Sequence, residues 1–186
     1  MSVVKVFAIS GSLRKSSFNT AALRAAKELA PDGMEVTIYD GLREIPPYDD
    51  DVRTGGGYPP PVAALRAAIK AADAVLIASP EYNFSVSGVL KNAIDWASRV
   101  PDQPFDGKPV AIIGAATGLY GTARSQYELR KILTSLNAHL LNKPEVLIAQ
   151  AATKFDAEGR LTDETAGGLL SQKMIALRNW TLRLRG

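Results

Sequence analysis

The sequence predicts an α/β fold in which helices cover both faces of a five-stranded parallel sheet. Residues 74–78 form an unbroken apolar run of strand length, which is typical of a strand buried on both faces of such a sheet. Residues 88–97 follow with apolar side chains at helical spacing, which predicts an amphipathic helix. The same alternation recurs along the chain and indicates a doubly wound architecture with right-handed crossovers.

The elements follow one another in a regular order. Short apolar or β-branched runs predict strands at 3–9, 34–39, 74–78, 110–114 and 146–149. Helical patterns predict helices at 20–29, 62–72, 88–97, 122–136 and 162–184. Pro31 ends the first helix, and Thr162-Asp163-Glu164 supplies an N-terminal cap for the last one. A long irregular loop is expected at 41–61, because this segment holds five of the eleven prolines and the run Gly55-Gly56-Gly57.

Two strand orders suit this pattern. The flavodoxin-like order 2-1-3-4-5 needs five strands and binds its ligand where the loops after strands 1 and 3 meet. The dinucleotide-binding order needs six strands and a Gly-x-Gly-x-x-Gly turn after the first strand. The first turn contains only Gly11, and Gly114, Gly118 and Gly121 follow the fourth strand at the wrong spacing. The sequence therefore predicts a flavodoxin-like three-layer sandwich in the order 2-1-3-4-5, with residues 1–186 forming one domain.

Composition excludes several classes of protein and site. The 186 residues are 46% hydrophobic and 22% charged, which is ordinary for a globular protein. Without cysteine and with the single histidine His139, no metal site is predicted. The net charge of +3 is mild and comes with no nucleic-acid motif, so no nucleic-acid partner is expected. No run of 18 apolar residues is present, so we expect no membrane association and a cytoplasmic location.

Two loops carry the side chains that could bind a ligand. Residues 79–85, after the central strand, offer flat side chains and hydrogen-bonding amides but no obvious nucleophile. Residues 10–19, after the first strand, offer hydroxyl groups, the Arg14 guanidinium and the Asn19 amide. They also open a helix, whose free N–H groups favour a phosphate. No Walker loop is present.

Each loop also has an ordinary structural explanation. Pro, Asn and Ser are common turn residues, and Ser and Asn favour the starts of helices. The predicted sheet order, however, makes the two loops neighbours. One ligand that joins a phosphate to a planar ring would explain both loops, and FMN is such a ligand.

Three groups of residues occur in a recognisable order along the chain. They are Gly11-Ser12-Leu13-Arg14 with Ser17-Phe18-Asn19, then Pro80-Glu81-Tyr82-Asn83, then Leu90-Lys91-Asn92-Ala93-Ile94-Asp95-Trp96. Together they resemble the NADPH-dependent FMN reductase family, in the branch of the bacterial chromate, quinone and azo-dye reductases. The resemblance runs from the first strand through the helix after the fourth strand.

This resemblance implies a set of cofactor contacts. The residues expected to hold the FMN phosphate and ribityl chain are Ser12, Arg14, Ser17, Phe18 and Asn19. Those expected to line the isoalloxazine ring are Pro80, Glu81, Tyr82 and Asn83, with Phe84 and Ser85 at its edge. Residues 115–118 would close the other side. Some relatives differ at Phe84 or carry serines at Ala115 and Ala116, so contact there would come from the backbone or from Thr117.

The resemblance also implies the chemistry. Bound flavin accepts a hydride from NADPH or NADH and passes electrons to a second substrate. We therefore predict an NAD(P)H oxidoreductase that reduces small-molecule acceptors, namely quinones, azo compounds, chromate or free flavin. No side chain needs to act as acid or base, so no catalytic residue is predicted. At Glu81 the backbone is expected to contribute rather than the carboxylate.

Two other classes of function stay open. One is a flavodoxin-type electron carrier without nicotinamide activity, although such carriers are commonly strongly acidic and this chain is basic. The other is a flavin-free protein whose loops bind a different phosphate ester. A yellow colour in the purified protein would exclude the second class, and anaerobic flavin reduction by NADPH would exclude the first.

Apolar surface in the sequence predicts a homodimer or a homotetramer. The 41–61 segment is rich in aromatic, aliphatic and proline residues, and Trp96 lies off the apolar face of its predicted helix. Arg124 and Tyr127 share a helix face and could contact a further pair of chains. The resemblance also implies pairing across this edge of the sheet. The alternative is that the 41–61 segment folds over its own sheet, with Trp96 in the core.

Overall fold

The computed structural model describes residues 3–185, with a largely parallel sheet at their centre. The strands are β1 (Val4–Ser10), β2 (Met34–Tyr39), β3 (Ala74–Ala78), β4 (Glu81–Tyr82), β5 (Ser85–Val86), β6 (Pro109–Ala115), β7 (His139–Leu140) and β8 (Val146–Ile148). The α-helices are α1 (Phe18–Glu28), α2 (Asp50–Gly56), α3 (Pro60–Ala71), α4 (Gly88–Ala97), α5 (Ala123–Ser135) and α6 (Glu164–Leu184). Single 3-10 turns lie at Gly41–Glu44 and Ala151–Thr153.

The central sheet has the order β2-β1-β3-β6, and every pairing in it is parallel. Two short strands share the next position beside β6. β7 pairs with Pro109 and Val110 at the start of β6, and β8 pairs with its last three residues. This confirms the predicted flavodoxin-like order 2-1-3-4-5, in which the fifth position is divided between two short segments.

Alternate residues of the buried strands belong to two separate hydrophobic cores, one on each face of the sheet. Val6 and Ala8 of β1 join the core that α1 and α6 cover, whereas Phe7 and Ile9 join the core under α3, α4 and α5. This division follows from the two-residue period of a strand, because neighbouring side chains point to opposite faces. Two covered faces explain why β3 and β6 are buried at every position.

The prediction of an irregular loop over 41–61 is wrong. This segment contains the first 3-10 turn and α2, and α3 already begins at Pro60. Asp49 caps α2, because its carboxylate accepts a hydrogen bond of 2.9 Å from the Asp51 N–H. The three glycines, which suggested a break, form the end of this helix, and Gly57 terminates it with a φ of 84°.

Trp96 belongs to the core of its own chain. It is fully buried, and its indole Nε1 donates a 2.8 Å hydrogen bond to the Pro46 carbonyl. The Asn92 amide clamps the same segment by donating to Pro46 and accepting from the Tyr48 N–H, both at 2.8 Å. The Tyr48 ring packs edge-on against Trp96. The segment therefore folds over its own sheet, and the inference of an exposed second apolar surface at Trp96 is wrong.

The longest helix, α6, is a core helix that also buries a charged residue. Asp163 caps its start by accepting a 2.8 Å hydrogen bond from the Ala166 N–H, as predicted. Lys173 is buried, and its Nζ donates a 3.0 Å hydrogen bond to the Leu141 carbonyl. Burial lowers the pKa of Lys173 to about 8. Over residues 3–185, no helix is both long enough and apolar enough to span a bilayer.

Candidate functional site

Three loops at the carboxyl edge of the sheet surround one cavity. They follow β1, β3 and β6, and the cavity that they enclose has a volume of about 130 Å³. Open α/β sheets bind their ligands at this edge, where the strand order reverses between neighbouring strands. The lining residues are Ser12, Arg14, Ser17, Phe18, Asn19, Pro80, Glu81, Tyr82, Ala115, Ala116 and Thr117.

The loop after β1 starts with a glycine that brings two loops close together. The Gly11 N–H donates a 2.8 Å hydrogen bond to the Ala78 carbonyl, and its own carbonyl accepts a 2.6 Å bond from the Ser87 hydroxyl. A Cβ at this position would lie 2.9 Å from side-chain carbons of both Pro80 and Leu90. Glycine is therefore required here by close packing.

Hydroxyl groups hold the rest of this loop in shape. The Ser10 hydroxyl accepts hydrogen bonds from the Ser12 N–H at 3.3 Å and from the Thr20 hydroxyl at 3.0 Å. The Ser12 hydroxyl in turn accepts one from the Arg14 N–H at 3.3 Å. These short-range bonds fix the backbone before any ligand binds, which lowers the entropy cost of binding.

The start of α1 faces the cavity with a cap and two free donors. The Ser17 hydroxyl accepts a 3.3 Å hydrogen bond from the Thr20 N–H and serves as the N-cap. The N–H groups of Phe18 and Asn19 precede the first intrahelical bond, which runs from Ala21 to the Ser17 carbonyl. They leave partial positive charge at the cavity wall, as anion sites at helix starts do.

Asn19 joins two walls of the cavity. Its amide Nδ2 donates a 2.9 Å hydrogen bond to the Ala115 carbonyl, and its Oδ1 accepts a 3.0 Å bond from the Ala115 N–H. Asn19 as a whole residue is 4% exposed, and these two bonds run between residues 96 positions apart. Asn19 thereby fixes the loop after β6 against the start of α1.

The loop after β3 folds into a short hairpin that the sequence did not predict. β4 and β5 pair antiparallel, with Tyr82 opposite Ser85. The two residues between them, Asn83 and Phe84, have φ angles of 50° and 66°. Positive φ at both central positions marks a type I′ turn, which matches the twist of a two-residue hairpin. The buried Pro80 precedes this hairpin and lines the cavity.

Glu81 caps a neighbouring helix with its carboxylate. Its Oε2 accepts hydrogen bonds from the N–H groups of Arg124 at 3.0 Å and Ser125 at 3.2 Å, in the first turn of α5. Its Oε1 accepts a 2.6 Å bond from the Arg124 guanidinium. Thr122, at the N-cap position, supplies no capping hydrogen bond of its own. A negative charge at this end of α5 also complements the helix dipole.

Comparison with known proteins identifies the family. The model of the NADPH-dependent FMN reductase family matches residues 4–153. An NAD(P)H-dependent FMN reductase from Pseudomonas aeruginosa is 55% identical, over 98% of this chain and 98% of its own. The chain belongs to the NADPH-dependent FMN reductase family.

Other relatives agree with this membership. A quinone reductase from Escherichia coli K12 is 43% identical, over 98% of this chain and 97% of its own. Among solved structures, the flavoenzyme FerB from Paracoccus denitrificans, an NAD(P)H:(acceptor) oxidoreductase, is 35% identical with a TM-score of 0.87. That match covers 97% of this chain and 98% of FerB.

Family membership confirms the predicted class of activity. The chain is an oxidoreductase that works with FMN and a nicotinamide nucleotide, and the alternative of an electron carrier without nicotinamide activity is not favoured. The strand order that the sequence predicted is also the order that the structure adopts.

The cavity of this family member brings together most of the residues that the sequence singled out. Nine of the twelve predicted cofactor residues line it: Ser12, Arg14, Ser17, Phe18, Asn19, Pro80, Glu81, Tyr82 and Thr117. Ala115 and Ala116, where the family resemblance suggested backbone contact, also line it. Asn83, Phe84 and Ser85 lie outside the lining, on the exposed end of the hairpin, and their contact with a flavin stays a prediction.

Two residues that support the site were missed by sequence reasoning. Arg124 and Ser125 were not among the predicted site residues, although both bind the Glu81 carboxylate. The Arg124 guanidinium also stacks over the rings of Phe84, at 3.8 Å, and Tyr120, at 4.8 Å. Glu81 and Arg124 are 43 positions apart, so no local pattern could have linked them.

Proposed function

We propose that this cavity binds FMN with its phosphate at the start of α1 and its ring between the loops after β3 and β6. The single observation that supports this arrangement most is that one cavity has both kinds of wall. One wall carries Arg14 and the free N–H groups of α1, which suit a phosphate. The other carries Pro80 and Tyr82 opposite the backbone at Ala115 and Ala116, which suits a planar ring.

In this proposal the chain orients the reactants and leaves hydride chemistry to the cofactor. FMN, when bound, accepts a hydride from the nicotinamide and passes electrons to the acceptor. The chain contributes the phosphate-binding loop, a buried Pro80 under the ring and the tie between Asn19 and Ala115. The Glu81 carboxylate is engaged by α5 through both oxygens, so it has no role as a general base.

For the acceptor, we propose quinones first and azo compounds, chromate or free flavin as further substrates. Tyr82 lines the cavity and is half exposed, so a flat molecule can reach the ring from solvent. Nicotinamide and acceptor would use this opening in turn. The whole chain would act as one FMN-binding domain. We further propose a cytoplasmic location, because the reaction needs a supply of reduced nicotinamide nucleotide.

Replacing Arg14 by alanine is expected to weaken FMN binding about tenfold or more without unfolding the protein. The guanidinium lines the cavity, is exposed and makes one side-chain hydrogen bond, to Ser16, so the fold does not depend on it. Charge-assisted hydrogen bonds to a phosphate contribute about 1.5–3 kcal/mol each. Titration of the flavin-free protein by flavin fluorescence measures the affinity.

Two further variants make this test specific. Arg14→Lys keeps the charge and should recover part of the affinity, whereas Lys27→Ala removes an equal charge from the far end of α1 and should change nothing. An unchanged FMN affinity in Arg14→Ala would remove Arg14 from the site.

We also propose that the protein is a homodimer or a homotetramer. With Trp96 in the core, the support comes instead from large exposed side chains on the β4–β5 hairpin, on the loop after β6 and on α5. Phe84, Leu119, Tyr120 and Tyr127 are all more than half exposed, and Arg124 stacks between two of them. Light scattering at low micromolar concentration should give a multiple of 19.9 kDa. A monomer that still oxidised NADPH at the full rate would contradict this proposal.

A further inference from the structure

A second and larger cavity adjoins the phosphate end of the proposed flavin site. It has a volume of about 490 Å³, within the range of cavities that hold small molecules. It lies between the start of α1 and the turn at residues 156–159. Arg14, Ser17 and Phe18 line both cavities, so the two cavities are neighbours on either side of the loop after β1.

The outer wall of this cavity is a well-anchored turn. Phe155 and Leu161 form a β-bridge at its base, and Phe155 is buried with its ring 5.5 Å from that of Phe18. At its tip, Gly159 has a φ of 77°, and a Cβ there would lie 3.8 Å from both Ala21 and the Arg24 guanidinium. The turn therefore packs against α1, and Phe18 and Ala21 give the cavity between them a small apolar surface.

The charged groups around this space are predominantly cationic. Arg14, Lys15 and Arg24 line it, and within residues 3–185 no carboxylate lies at ion-pair distance from any of them. The two acidic residues that line it, Asp156 and Glu158, are both paired with Arg160, at 2.7 and 3.3 Å.

The Asp156 carboxylate is further occupied by the backbone of its own turn. It accepts hydrogen bonds from the N–H groups of Arg160 at 2.8 Å and Glu158 at 3.1 Å. The carboxylates are therefore satisfied within the turn, whereas Lys15 and Arg24 keep their charge available for a ligand. Such a cavity suits an anion that carries an apolar or planar group.

We propose that this cavity, between α1 and the turn at 156–159, binds the adenosine 2′-phosphate end of NADPH through Lys15 and Arg24. The inference rests on the proposed function, in which the nicotinamide of the same molecule lies against the flavin ring. NADPH differs from NADH by one phosphate group at the adenosine ribose. Lysine and arginine side chains bind phosphate groups through charge-assisted hydrogen bonds. Lys15 and Arg24 would then make the enzyme prefer NADPH over NADH.

The coenzyme preference of a double variant tests this proposal. Lys15→Ala/Arg24→Ala is expected to raise the KM for NADPH about tenfold and to leave the KM for NADH and both kcat values near those of the parent, because only NADPH carries the 2′-phosphate. Lys27→Ala removes one positive charge from the last turn of α1, outside the cavity, and as a control it should alter the KM of neither coenzyme. Equal KM changes for both coenzymes, or none, would overturn the proposal.

Direct binding gives a readout that does not depend on turnover. Calorimetric titration of the FMN-loaded protein with adenosine 2′,5′-bisphosphate should show binding that the double variant loses, whereas 5′-AMP and inorganic phosphate should bind much more weakly. Binding of inorganic phosphate as tight as that of the bisphosphate would mean a general anion site and would contradict the proposal.

The experiments distinguish failure of the proposed function from failure of the proposed 2′-phosphate site. If neither coenzyme reduces the flavin of the parent protein, the proposed function is wrong. If both coenzymes reduce it but the parent and the double variant show the same preference and the same bisphosphate affinity, only the assignment of Lys15 and Arg24 is wrong.

Discussion

Asn19→Ala is expected to lower the free energy of unfolding by about 2–4 kcal/mol and to weaken FMN binding at least tenfold. The substitution leaves the Ala115 N–H and carbonyl without partners in a site where Asn19 is 4% exposed. An unsatisfied buried group costs about 1–3 kcal/mol. Because Ala115 and Ala116 line the cavity, loosening this tie also moves a wall of the flavin site. Urea denaturation of the flavin-free protein and flavin fluorescence titration measure the two effects separately.

Two variants separate this role from direct cofactor contact. Asn19→Asp keeps an acceptor for the Ala115 N–H but loses the donor, so it should show a large part of the stability loss. Asn179→Ala, at an exposed position on α6, should leave both quantities unchanged. If Asn19→Ala lost FMN affinity while the flavin-free protein kept its full stability, the side chain would contact the cofactor directly and the positioning role would be wrong.

Glu81→Ala is expected to cost about 2–3 kcal/mol of stability and to loosen the cofactor. The carboxylate is the acceptor for two N–H groups in the first turn of α5, one of them on the fully buried Ser125. Loss of a helix cap costs about 0.5–2 kcal/mol, and the bond to the guanidinium adds to this. Glu81→Gln keeps an acceptor without the charge and should fall between parent and alanine variant. Urea denaturation and FMN titration again provide the measurements.

Matched variants on α5 identify which contact matters. Glu128→Ala removes an equal charge from a partly exposed position on the same helix, where it pairs with Lys131, and should cost little. Arg124→Ala removes the ion pair but keeps both backbone donors, so it should cost less than Glu81→Ala. If Glu81→Gln abolished NADPH oxidation with stability and FMN affinity unchanged, Glu81 would be a catalytic base and its assignment as a cap would fail.

The sequence by itself determined the fold class, the strand order and the cofactor class. Strands such as 74–78 can be predicted from the sequence, because burial on both faces requires a continuous apolar run. Such a run is visible in a few consecutive residues. The loops after β1 and β3 were recognisable for a similar reason. Their phosphate-binding and ring-binding residue types sit next to strands whose order the pattern of elements already predicts.

Only the tertiary structure decided which polar groups satisfy one another. Asn19 meets the backbone of Ala115 across 96 positions, and Glu81 meets Arg124 across 43. A hydrogen bond needs its two atoms at about 3 Å, and only the packed sheet sets the distance between such remote loops. The burial of Trp96 also depends on contacts between remote residues. Its helical spacing places it off the apolar face of α4, whereas in the folded chain Pro46 and Tyr48 cover it. Hydrophobic periodicity is a property of neighbouring residues in the sequence. The hydrogen-bond partners of a loop, in contrast, are set by the elements that the fold packs against it.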